Sequence, residues 1–241
     1  MQNQDDFTNC ITDFANCFPL QRLLLNRKEP PVAATIKELW PCLFTDLFAE
    51  IHFQLLTGKP TTEFKENFES YVLRMLIYDH VTLDSATNAF KNWTAVKIIF
   101  KYFKEDYSNL FTIVEVDFDM NNMPLTHTYP FIVIIGGLPI EEHDNEDNHD
   151  DSTRKYAVVV DGITFPKVNC LVEALRVMLI VYFNINHTYP KECAHFLECI
   201  QRFFLEIYPT EGTRSNNQAT VRKVLTFIKK IKKIEITEID S

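Results

Sequence analysis

At 241 residues, with 46% hydrophobic and 24% charged side chains, the chain can bury one large core or two small ones without disulfides or metals, which excludes a wholly disordered chain. A formal net charge of −9 repels phosphate backbones, so sequence-independent nucleic-acid binding is excluded except through a local basic patch. The first residues, MQNQDDFTNCITDF, have neither the positive start nor the apolar run of a secretory signal, and the longest apolar run, Val177 to Phe183, is far short of the ~18 residues of a membrane span.

Six Cys (10, 17, 42, 170, 193 and 199) without a secretory signal read as reduced thiols of a cytosolic or nuclear protein. The sequons at Asn92 and Asn186 then never meet the glycosylation machinery. In chain order, Phe7, Ile11, Phe14 and Phe18 predict a short amphipathic helix ending at Pro19, either a docking arm or a packed first helix. Glu29-Pro30-Pro31 is a break, and a short helix from Val32 to Trp40 is stopped by Pro41. Thr45 caps the next helix, which presents Leu47, Phe48, Ile51 and Leu55 and ends at Gly58. Thr61 or Thr62 caps another, with Phe64, Phe68, Tyr71, Val72 and Met75 on one face. A third begins near Asp84; it buries Ala86, Ala89, Phe90, Trp93, Val96, Ile99, Phe100 and Phe103 and leaves Lys91, Lys97, Lys101 and Lys104 in water.

The period then becomes two. Thr112 to Asp119 reads as a strand with Glu115, Asp117 and Asp119 on one face and Val114, Val116 and Phe118 on the other. Phe131 to Ile135, ended by Gly136-Gly137, reads as a central strand buried on both faces. Glu141 to Asp151 holds seven carboxylates with His143 and His149 and no large apolar side chain, so it reads as a solvated loop. Tyr156 to Val160, Asp161-Gly162 and Ile163 to Phe165 form a hairpin, because Asp-Gly accepts the positive φ values of a type I′ turn. Asn169 caps a helix with Leu171, Ala174, Leu175, Met178, Leu179 and Tyr182 inward, and Pro190 opens one with Phe196, Ile200, Phe203 and Phe204 inward. A last helix carries Val221, Val224, Leu225, Ile228 and Ile231 on one face and a basic edge on the other.

The pattern predicts an α+β fold: a helical first half packed with a small, mostly antiparallel sheet from about residues 111 to 118, 131 to 135, 156 to 160 and 163 to 165, followed by carboxyl-terminal helices. Residues 1–29 form an amino-terminal arm, 30–212 the α+β domain (30–108 helical, 109–212 sheet and helices) and 213–241 a basic carboxyl-terminal helix or tail. Tyr129-Pro130-Phe131, the Val-Val-Val-Asp-Gly hairpin, the helix Leu171 to Phe183, Phe183-Asn184-Ile185, Tyr189-Pro190 and Phe196 to Arg202, closing on Pro209-Thr210-Glu211-Gly212, occur in one order. With Leu39-Trp40-Pro41-Cys42-Leu43-Phe44 upstream, residues 32 to 212 resemble the carboxyl-terminal region of sterile alpha motif domain-containing protein 3-like proteins. The resemblance implies an animal protein, in some members related to mobile elements, and no catalytic motif. The sterile alpha motif itself has no room before the match.

Four groups of residues invite chemistry. Cys193, His195 and Cys199 suggest zinc, but only His195 and Cys199 share a helix face, and a structural site wants four ligands. Glu115, Asp117 and Asp119 with Asp161 suggest a Mg²⁺ site of a nuclease or transposase, although three on one strand face read more simply as its wet side. The acidic loop lacks the central Gly of a Ca²⁺ loop. Arg222, Lys223, Lys229, Lys230, Lys232 and Lys233 form a basic patch that suits nucleic acid, a membrane surface or an import signal, or simply the wet edge of a packed helix.

No catalytic, cofactor-binding or metal-ligating residue is assigned. The sequence reads first as a non-enzymatic intracellular protein-interaction protein with a protein partner, then as a nucleic-acid-associated protein using its tail, then as a metal-dependent nuclease.

Overall fold

The structure, a computed structural model, describes residues 2–82, 86–123, 127–139, 154–208 and 218–236, without the side chains of residues 2–6 and 122. The acidic loop, the linker at 213–217 and the expected helix start at Asp84 lie outside the described residues. Helices α1 (Gln2–Asn16), α2 (Phe18–Leu25), α3 (Ala33–Leu39), α4 (Asp46–Thr57), α5 (Phe64–Tyr78) and α6 (Asn88–Phe103) precede strands β1 (Phe111–Val114), β2 (Phe131–Ile135), β3 (Lys155–Val160) and β4 (Ile163–Thr164). Helices α7 (Leu171–Asn184), α8 (Ala194–Phe204) and α9 (Gln218–Lys232) follow, so the class is α+β as the sequence predicts.

The sheet runs in the order β1-β2-β3-β4, with β2–β3 and β3–β4 antiparallel and β1–β2 parallel. Every residue of β2 is buried, as its unbroken apolar run requires of a strand covered on both faces. Ile132 and Ile134, opposite Val158 and Tyr156, face the large core, whereas Phe131, Val133 and Ile135 join Val159 and Met123 in a smaller cluster on the other face. The hairpin turn has Asp161 at φ 47° and Gly162 at φ 75°, the two positive angles a type I′ turn needs.

Helix α7 is the centre of the molecule. Twelve of its 14 residues are buried, and it packs on β2 and β3 on one side and on α4, α5 and α6 on the other. The one-sided face predicted for it is therefore too narrow, because a helix between two layers must be apolar nearly all round. Each fully buried Leu, Ile or Val there stabilises the fold by about 1.5–3 kcal/mol relative to exposure. At its end Asn184 donates from Nδ2 to Ala49 O at 2.8 Å, and its Oδ1 accepts from His52 Nδ1 at 3.0 Å.

Several boundaries differ from the sequence reading for identifiable reasons. Pro19 starts α2 rather than only stopping α1, since a first-turn proline loses no helical hydrogen bond. Strand β1 ends at Val114, after which Val116 and Asp117 lie in a turn. Asp119 then accepts from Asn121 N at 3.0 Å, opening a 3-10 turn, so the alternation of 115–119 is not a strand. Thr45 Oγ1 donates to Cys42 O, and Thr61 is drawn to Glu50, leaving Glu63 at the start of α5. Asn169 accepts from Lys155 Nζ at 2.8 Å, so Cys170 precedes α7 without a side-chain cap. Thr87 caps α6 by accepting from Phe90 N.

Both ends of the described chain reach the main core. Phe14 of α1 is buried with its ring centroid 4.8 Å from that of Phe48, and Leu25 of α2 is buried too. In α9, Val224, Phe227, Ile228 and Ile231 are buried, and α9 packs on α5 and α8.

Candidate functional site

Cys193 and Cys199 are fully buried, and burial followed by the nearby Glu105 charge pushes both thiols well above their ordinary pKa. A protonated, enclosed thiol is neither a nucleophile nor a ready metal ligand. His195 is committed elsewhere: Glu105 Oε1 accepts from His195 Nδ1 at 2.8 Å and from His195 N at 2.9 Å, and Oε2 accepts from Phe196 N. Glu105 thus caps α8 from the end of α6, placing a carboxylate on the positive end of the helix dipole. The trio is core packing around a cap.

The expected carboxylate face is dispersed in the same way. Glu115, Asp117 and Asp119 are exposed beyond β1, and Asp119 is used by its own turn. Asp161 does more than make the hairpin, since its Oδ2 accepts from Ala33 N at 3.0 Å and caps α3 across 128 residues of sequence. Among the described residues, no group of three or more His, Cys, Asp or Glu side chains is arranged to hold a metal ion.

All six cations of the basic patch are exposed along α9 and its end. Lys230 lies 5.1 Å from the Tyr102 ring centroid and Lys232 5.7 Å from that of Phe203, so part of the patch is spent on the protein's own aromatic rings. No described helix is long and apolar enough to cross a membrane.

Two features were not anticipated. The first is a cleft of about 650 Å³ beside α6. Phe90, Thr94, Lys97, Ile98 and Lys101 of α6, with Lys104 just past its end, supply one wall, and Val81 and Tyr107 also line the cleft. Lys101 Nζ is held by both oxygens of Asp79 at 2.8 Å. Lysines at 97, 101 and 104 were legible as a charged stripe, but the cleft depends on where residues 79–81 and 105–107 pack against it.

The second is the amino-terminal helical surface. Helix α2 buries Gln21 but exposes Leu20 and Leu23, at 61% and 70%. Cys17, the residue before α2, is a wall of a groove of about 430 Å³ that also has Phe14, Trp40, Pro41 and Asp13 in its lining. Asp13 of α1 puts a carboxylate in that lining, and the sequence of α1 holds no Lys or Arg. Compared with protein-family models, with curated proteins and with solved structures, the chain matches none.

Proposed function

We propose that the chain is a non-enzymatic protein-interaction protein, and that its amino-terminal helices receive a basic, amphipathic segment of a protein partner. The observation that carries this reading is the inversion on α2, where a Gln is buried and two leucines one turn apart are left in water, while Cys17, the residue before that helix, lines a groove with Phe14 and Trp40. Apolar side chains placed this way gain by docking into or against a partner's apolar face. The Asp13 carboxylate in that groove selects a partner whose apolar residues are flanked by Lys or Arg. Kinship with the sterile alpha motif domain-containing protein 3-like proteins, and through them a mobile-element ancestry, belongs to the same proposal and rests on the resemblance of residues 32 to 212.

The test is affinity purification from the source cell with the wild-type chain and with the Leu20→Glu/Leu23→Glu variant side by side. Expected is a reproducible partner that the wild type retains and the variant loses, while the variant melts at an unchanged temperature. Identical sets of captured proteins would overturn the reading.

A further inference from the structure

We infer that the outward face of α9 binds the phosphate backbone of nucleic acid without reading its sequence. Arg222, Thr226 and Lys229 succeed one another at intervals of four and three residues, so they share one stripe of the helix. Lys233, one residue past the end and tied back by its N–H to Lys230 O at 3.2 Å, continues that stripe to roughly 16 Å. Lys223 stands beside it. All four cations are exposed, and from Gln218 to Ile234 the chain holds no Asp or Glu.

The row is held out of reach of the protein's own carboxylates. Val224, Phe227, Ile228 and Ile231 are buried on the opposite side of the helix, where α9 packs on α5 and α8, so the stripe points away from both neighbours. Among the described residues Arg222, Lys223, Lys229 and Lys233 make no ion pair and no ring contact; Lys230 and Lys232, which lie over Tyr102 and Phe203, are not needed for the row. The buried face also fixes the row, and Arg74 Nε donating to Ile234 O at 3.2 Å pins its far end. The negative surplus of the chain lies elsewhere, and salt screens it beyond about 10 Å.

Three kinds of polyanion meet such rows, and the surroundings favour one. An anionic membrane takes up an amphipathic helix by its apolar side, which in α9 is closed within the core. An acidic protein segment binds around an apolar anchor, and the centre of this face offers none: Arg222, Lys223, Thr226, Lys229, Lys230 and Lys233 are all polar. A phosphate backbone asks for charge alone, because its affinity comes from counterions released as cations neutralise phosphates. Phosphates recur about every 3.4 Å of rise along each strand, so the row spans several of them. The face is remote in sequence from the amino-terminal surface, and failure of either reading leaves the other standing.

Fluorescence anisotropy of a labelled DNA duplex of about 20 base pairs with the full chain, between about 50 and 200 mM salt, tests the assignment. Expected is a logarithmic salt slope of about −3 to −4, the signature of four neutralised phosphates. Arg222→Gln/Lys229→Gln/Lys233→Gln is expected to flatten that slope by about 2 to 3 and to weaken binding by about tenfold or more at the low-salt end. Lys28→Gln/Lys37→Gln/Lys167→Gln removes the same charge from exposed positions elsewhere and keeps the wild-type slope. The substituted side chains are exposed in both, so both keep the wild-type melting temperature. No duplex binding, equal loss in the two triple variants, polyglutamate displacing the labelled duplex as well as unlabelled duplex does, or tighter binding to phosphatidylserine vesicles than to duplex would each overturn the assignment.

Discussion

His52 is the residue whose environment has the clearest measurable consequence. It is fully buried on α4, and its pKa is lowered to about 4, chiefly by burial and further by the Arg22 charge, against the opposing hydrogen bond to Asn184. The unfolded imidazole takes a proton near pH 6.5 and the folded one only near pH 4, so between those values the unfolded chain binds more protons. The contribution is fully present above pH 6.5 and is lost as the pH falls toward 4. Urea unfolding at pH 7 and pH 5 is expected to show a loss of about 2 kcal/mol from this group. In His52→Gln, which keeps a donor for Asn184 and does not titrate, that part of the loss disappears. An equal drop in wild type and variant would place the acid sensitivity elsewhere.

Among the elements, the β3–β4 hairpin is tied to α3 by one side chain. Asp161 supplies both the left-handed first turn position and the acceptor for Ala33 N. Asp161→Ala is expected to cost about 1–2 kcal/mol, combining a lost cap with a residue less tolerant of positive φ. Asp161→Asn, which keeps both properties, costs less than half of that in the same chemical denaturation series. The hairpin was legible because Asp-Gly acts on its own backbone, and the burial of β2 because an unbroken Val/Ile run has one good solution. The caps were harder: Thr61 and Asn169 have helix-starting chemistry, but Glu50 and Lys155 claim them from other elements. The exposed leucines of α2 and the cleft of α6 were not legible, because each depends on which neighbours arrive and which do not. Phe227 escaped for a similar reason, since its ring faces Tyr78, Tyr102 and Phe103 rather than the stripe read from its own helix.

Over the whole molecule, one connected core runs from Phe14 of α1 to Ile231 of α9, so the terminal helices and the sheet share their stability. Heat or urea is expected to give a single transition by far-ultraviolet circular dichroism and by the fluorescence of Trp40 and Trp93. Phe227→Ala, removing a fully buried ring, is expected to lower global stability by about 3–5 kcal/mol and keep the transition single. A separate early melting of α9, with the remainder unchanged, would contradict a shared core.

The bond between His52 and Asn184 also sets a clock for biosynthesis. Its partners are 132 residues apart, so at ribosomal speeds Asn184 is made roughly 7–26 s after His52. Through that interval α4 has no α7 to close upon, and Phe53, whose ring ends 5.2 Å from that of Phe183, is bare on the nascent chain. A chain stopped before α7 is therefore expected to expose apolar surface that the full chain buries, which binding of a hydrophobic dye to the two lengths checks.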